Sequence, residues 1–199
     1  MKPITRCLVA ALTAVLIFAG AVAAVVYSGA YNVAATSPHS KPVEATLHAL
    51  MVRSVRNHAK GVSAPSGMRM DDPALAQRAI EGYEAMWRTC HGAPGRKPEP
   101  WAFYPPVPDL TVSVREHGWT DAEIFWIIKY GIKDTAMPAF GGTHKDEDIW
   151  VQTALVRQLP NTSEDQYRLM AQKQGVTLSP PRQHSHGTEK ASDGHSHKH

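Results

Sequence analysis

An apolar run near the N-terminus constrains the fold of this chain more than any other feature. Residues 8–27 are apolar at all but two positions, and about 20 consecutive apolar residues suffice for a helix to cross a bilayer. Lys2 and Arg6 precede the run, and no further Lys or Arg occurs before Lys41. Because positively charged flanks favour the cytoplasmic side, the sequence predicts a single-pass helix that places the remainder of the chain on the side of the membrane away from the cytoplasm.

The same run has a second interpretation as a cleaved signal peptide. Ser28-Gly29-Ala30 offers the small residues that signal peptidases require. However, the apolar run is longer than the usual h-region of about 7–15 residues. We therefore favour an uncleaved membrane anchor over residues 1–30 and keep the signal peptide as the alternative.

Helical periodicity dominates the remainder, which predicts an all-α fold. Residues 31–71 form a linker with one amphipathic helix at about 43–60, where apolar residues recur at helical spacing. This helix is expected either near the membrane surface or, as we favour, packed on the following domain. Residues 72–165 form a small helical domain. Its first helix opens with Asp72 as cap and Pro73, its third with the capping box Thr120-x-x-Glu123, and its last spans about 145–159.

The C-terminal part of the chain, residues 166–199, is predicted to be a polar tail. Residues 179–199 lack large apolar side chains and should be disordered. Imidazole is a good ligand for copper, zinc and nickel, so the tail is either a transition-metal site or a solvated extension. Its histidines are His184, His186, His195, His197 and His199.

The chain has two cysteines, and the second is directly followed by a histidine. Cys7 lies at the start of the anchor, which leaves Cys90 without a thiol partner in the folded region. A c-type haem is attached through Cys-x-x-Cys-His, in which both thiols react with vinyl groups and the His binds iron. Cys90-His91 matches the second half of this motif, whereas Trp87 stands where the first Cys belongs.

Three elements in the expected order make this region similar to a known family. The segment 72–160 resembles a class I cytochrome c domain, and together with the anchor it resembles membrane-attached bacterial monohaem cytochromes. The resemblance implies a helical domain around one haem, facing the periplasm. The motifs that carry it are Cys90-His91-Gly92, Thr135-Ala136-Met137-Pro138 and the final helix ending in Leu159-Pro160.

The resemblance also implies how the iron would be held. His91 and Met137 would be the two axial ligands, and a Met ligand raises the reduction potential relative to a second His. Pro138 would stiffen the Met loop, and the other ring nitrogen of His91 should donate to a carbonyl in the Pro-rich segment 105–108. Trp126 and Tyr130 are predicted pocket residues on the same basis.

Trp87 decides between two hypotheses about function. The first is an electron carrier with one haem c, bound covalently through Cys90 only. It would pass electrons from a dehydrogenase or quinol-oxidising complex to a terminal oxidase and would not itself be an enzyme. The second is a haem-poor protein whose His-rich tail binds transition metals.

No basic stripe with interleaved aromatics is present in the sequence, which argues against nucleic-acid binding. The histidines outside the motif and tail, including His48 and His117, are assigned no role.

Overall fold

The computed structural model describes residues 3–99 and 103–178, and the regular elements within these ranges are helices. Apart from one isolated bridge between Ala93 and Arg96, the described residues contain no β-structure. The all-α prediction is therefore confirmed. The helices are α1 (Pro3–Ser28), α2 (Lys41–His58), α3 (Pro73–Met86), α4 (Arg88–His91), α5 (Ser113–His117), α6 (Asp121–Tyr130), α7 (Asp146–Gln158) and α8 (Glu164–Lys173), with a 3-10 turn at Leu159–Asn161.

Helix α1 contains the apolar run. Its 26 residues extend for about 39 Å at 1.5 Å per residue, which exceeds the bilayer hydrocarbon thickness of about 30 Å. None of its side chains is buried, and it is the one helix in the described ranges long and apolar enough to cross a membrane. A signal sequence near the N-terminus would also meet these criteria of length and composition, so the helix alone does not separate the two interpretations.

The core of the domain lies where α3 and α6 pack on the two sides of α7. Ile80 of α3 and Leu155 of α7 are fully buried, and Phe125 of α6 stacks on Trp150 of α7 with ring centroids 4.2 Å apart. The helix starts follow the predicted signals. Asp72 accepts a hydrogen bond from the Ala74 amide, and Thr120 forms a reciprocal capping box that opens α6.

Helix α2, within the segment predicted as a linker, packs on the domain. Val55 and Ala59, one turn apart, are buried against the domain, and α2 packs on α6. Arg56 lies 3.9 Å from the carboxylate of Glu123 on α6. The amphipathic pattern predicted the helix, but a pattern alone does not specify what its apolar face contacts.

Helix α8 lies where the sequence suggested that the polar tail had begun. Ser163 and Gln166 form a capping box, and Tyr167 and Ala171 pack into the core. Met170 also packs against the core, but polar residues surround these positions, so the helical period was difficult to see. The tail histidines at 184–199 lie outside the described residues, and metal binding by them stays a prediction.

Candidate haem site

A large cavity opens between α2, the α3–α4 junction, the Pro-rich segment after Phe103, α6 and the loop that follows α6. Its volume is about 770 Å³, within the range of about 300–1,000 Å³ that is typical of cofactor and ligand pockets. Most of its wall is apolar, with a few polar side chains that converge on the space. It is therefore suited to a large, mainly apolar ligand.

His91 lies at the C-terminal end of α4, is buried, and lines this cavity. Its Nδ1 lies 2.8 Å from the carbonyl oxygen of Pro108, so Nδ1–H donates and Nε2 is left with its lone pair. Burial lowers the pKa of His91, which keeps the imidazole neutral, as metal binding requires. The carbonyl partner lies in the segment 105–108 that the sequence indicated.

Tyr83 fixes the turn that follows His91. Its hydroxyl donates to the Gly92 carbonyl at 2.7 Å, and burial raises the pKa of Tyr83, so this donor remains protonated. Gly92 has a φ of +72°, and a Cβ there would lie 2.8 Å from Pro98. A glycine is required because the chain turns sharply and packs closely at this point.

Met137 reaches the same cavity from the loop after α6, and Pro138 lines it next to Met137. The loop is held by hydrogen bonds to both the amide and the carbonyl of Met137. The Met137 amide donates to Thr135 Oγ1 at 3.1 Å, and its carbonyl accepts from the Ile132 amide at 3.2 Å. Met137 is half-buried against the core, so the backbone from which its side chain projects into the cavity wall is held by the fold.

Gly131 allows this loop to fold back on α6, which gives a testable prediction. It has a φ of +66°, and a Cβ would lie 2.7 Å from the Met137 carbonyl oxygen. We expect Gly131→Ala to lower the free energy of unfolding by about 1–3 kcal/mol, measured by denaturant titration. Gly142→Ala is the matched control, since a Cβ at Gly142 would meet nothing within 4 Å. Equal stability of the two variants would contradict this account of the loop.

Trp87 is a packed component of the site. Its ring is buried, stacks on Phe140 at a centroid distance of 4.7 Å, and lies 5.7 Å from the His91 ring. It lines the cavity, and its buried indole N–H has no hydrogen-bond partner in the described part of the chain. Cys90, which lies between Trp87 and His91 in the sequence, is a half-buried free thiol that is not among the cavity-lining residues.

Trp126 and Tyr130 lie elsewhere. Trp126 contacts His58 of α2 and Tyr130 rather than the cavity, and Tyr130 is 55% exposed. We therefore do not include these two residues in the site. Sequence reasoning did not indicate several other lining residues, because their contribution arises from the packing of α2 and of the segment around α5 at the cavity. They include His48, Met51, His117 and Trp119.

The residues present fit a haem. The wall is apolar, as a porphyrin requires, and it carries a neutral imidazole and a thioether, the ligand pair of cytochromes c. The helical fold and this site together define a cytochrome c-like domain.

Comparison with known proteins supports this class. Residues 74–154 match the family described as cytochrome c oxidase, cbb3-type, subunit III. Comparisons with curated proteins and with solved structures found no significant match. The matched region, which is less than half of the chain, includes Cys90, His91 and Met137, whereas α2 and α8 lie outside it.

Proposed function

We propose that this protein is a single-haem electron carrier, anchored in the bacterial cytoplasmic membrane by α1, with its domain in the periplasm. The observation that carries this proposal is that His91 and Met137, from separate segments, line one apolar cavity. The positive-inside pattern of Lys2 and Arg6 before α1 supports the orientation.

The His91 ring and the Met137 backbone are both held by hydrogen bonds, which suits electron transfer. His91 would bind iron through Nε2 while Pro108 holds its other nitrogen, and Met137 would bind through its sulfur while Thr135 and Ile132 hold its backbone. The haem would supply one-electron exchange at its iron. Because two fixed ligands leave no position for a substrate, we expect a carrier rather than an enzyme.

Covalent attachment would use Cys90 alone. The position of the other attachment thiol is occupied by Trp87, whose ring is packed on Phe140. One vinyl group would therefore remain intact beside this ring. The apolar wall and the two axial ligands would supply the remaining binding energy.

The description of the matched family names a terminal oxidase. This supports the proposal that the protein works with a terminal oxidase, with electrons supplied by a dehydrogenase or a quinol-oxidising complex. Whether it is a subunit or a separate carrier would follow from co-purification with the oxidase in mild detergent.

Cys90→Ser tests the attachment. We expect haem in the wild-type protein to remain with the polypeptide in acidified organic solvent, and haem in the Cys90→Ser variant to be fully extracted. Cys7→Ser, at an exposed thiol in α1, is the control and should behave as wild type. Complete extraction of haem from the wild-type protein would refute covalent binding.

A further inference from the structure

We propose that His48 of α2 and His117 of α5 together bind the carboxylates of the haem, which makes α2 part of the haem site. This inference rests on the proposed haem binding but concerns residues to which neither the resemblance nor the family match assigns a role. His48 lies outside the matched residues 74–154.

The two imidazoles face each other at the cavity. Both line it, and their ring centroids are 6.2 Å apart. His117 Nδ1 lies 2.9 Å from the Ser113 carbonyl oxygen, so Nδ1–H donates there, and in the imidazolium form Nε2–H is left to donate to a carboxylate. The His117 ring also stacks on Trp119 at an interplanar angle of 5°, which fixes its direction.

Haem chemistry requires such a pair of donors. Two carboxylates project from one edge of the porphyrin, and burial of a carboxylate without a hydrogen-bond partner is strongly unfavourable. The vinyl groups lie on other edges, so attachment near Cys90 would direct the carboxylates away from α4. His48 of α2 and His117 of α5 belong to parts of the cavity wall separate from α4.

The other charged residues of the wall cannot take this role. Among the described lining residues there is no Lys or Arg, and the acidic ones would repel a carboxylate. They are Glu44, Asp109 and Glu116. The Glu44 carboxylate accepts a hydrogen bond from Lys41 at 3.1 Å, which offsets its charge next to His48. Of the three lining histidines, His91 is committed to iron, which leaves His48 and His117.

The C-terminal half of α2 holds His48 at the cavity. Val55 and Ala59 are buried against the domain, and Arg56 pairs with Glu123. His48 lies about two turns before Val55 on the same helix and lines the cavity, so this packing holds the helix segment that carries it.

A metal ion between the two rings is the competing occupant. The described residues contain no group of three or more His, Cys, Asp or Glu side chains that could hold a metal, whereas a structural zinc site normally uses four protein ligands. A carboxylate needs only one donor from each ring. The observations therefore favour the haem carboxylates.

The test uses the full-length chain with Cys90→Ser, in detergent, so that haem binding is reversible. The affinity of the apoprotein for haem is compared with its affinity for haem dimethyl ester, in which both carboxylates are blocked. The comparison is repeated with His48→Leu, with His117→Leu and with His58→Leu. The last variant is the control, because His58 is on the same helix but does not line the cavity.

We expect each of His48→Leu and His117→Leu to weaken haem binding about tenfold or more while leaving ester binding unchanged. His58→Leu should retain the preference for haem over the ester. The proposal would be overturned if either variant lost affinity equally for haem and for the ester. It would also be overturned if the protein bound Zn²⁺ through both histidines while the variants still preferred haem to the ester. If the parent chain binds neither haem nor the ester, the proposed function fails as well, so the two failures are distinguishable.

Discussion

Met137→Ala is expected to lower the midpoint potential of the haem by on the order of 0.1–0.3 V, within the range of about 0.8 V that axial ligands span. A thioether favours ferrous iron, and alanine provides no ligand to replace it. The weak charge-transfer band of Met-ligated ferric haem should also disappear. Potentiometric titration followed by optical absorption measures both effects.

Met86→Leu is the matched control for this prediction. Met86 also lines the cavity but lies at the end of α3, directly before Trp87, and is assigned no ligand role. We expect Met86→Leu to retain both the band and the potential. An unchanged spectrum in Met137→Ala, or loss of the band in Met86→Leu, would show that the sulfur ligand is not Met137.

Glu84→Ala is expected to reduce the free energy of unfolding by about 3–5 kcal/mol. The side chain of Glu84 is 9% exposed, accepts a hydrogen bond from the Tyr167 hydroxyl at 2.7 Å, and pairs with Arg96 and Arg88. Removing the carboxylate would take away an ion-pair partner of both buried cations and the acceptor of the Tyr167 hydroxyl. Denaturant titration of the apoprotein measures the loss independently of haem.

Glu81→Ala provides the comparison on the same helix. Glu81 is exposed one turn earlier in α3, and substitutions at such positions usually change stability by less than about 0.5 kcal/mol. A similar small effect at Glu84 would mean that the buried ion pairs contribute little to stability. A large effect at both sites would point to α3 itself rather than to the ion pairs.

The helices with strong local signals were predictable from the sequence. Asp72-Pro73 and Thr120-x-x-Glu123 act within one turn, so their effect does not depend on the rest of the fold. The structure places α3 and α6 directly after these signals. Residues His91 and Met137 were identifiable because each lies in a short motif, and both line the cavity.

Features that depend on distant contacts were not predictable. The sequence indicated that α2 is amphipathic, but only the tertiary structure brings His48 to His117, 69 positions further along the chain. Similarly, Tyr167 contacts Glu84 across the domain, which gives α8 a core position that its polar composition did not indicate. The resemblance predicted that Trp126 lies in the haem pocket, whereas its ring packs on His58 of α2.

We propose that this chain holds a haem through one thioether to Cys90, with Trp87 in place of the first cysteine of the attachment motif. The reduced pyridine haemochrome spectrum of the purified wild-type protein tests it most directly, because this spectrum reports how many vinyl groups have reacted. We predict an absorption band between those of b-type and c-type haem, corresponding to one reacted vinyl group. A band at the b-type position, or the absence of haem from protein produced with a c-type haem attachment system, would contradict the claim.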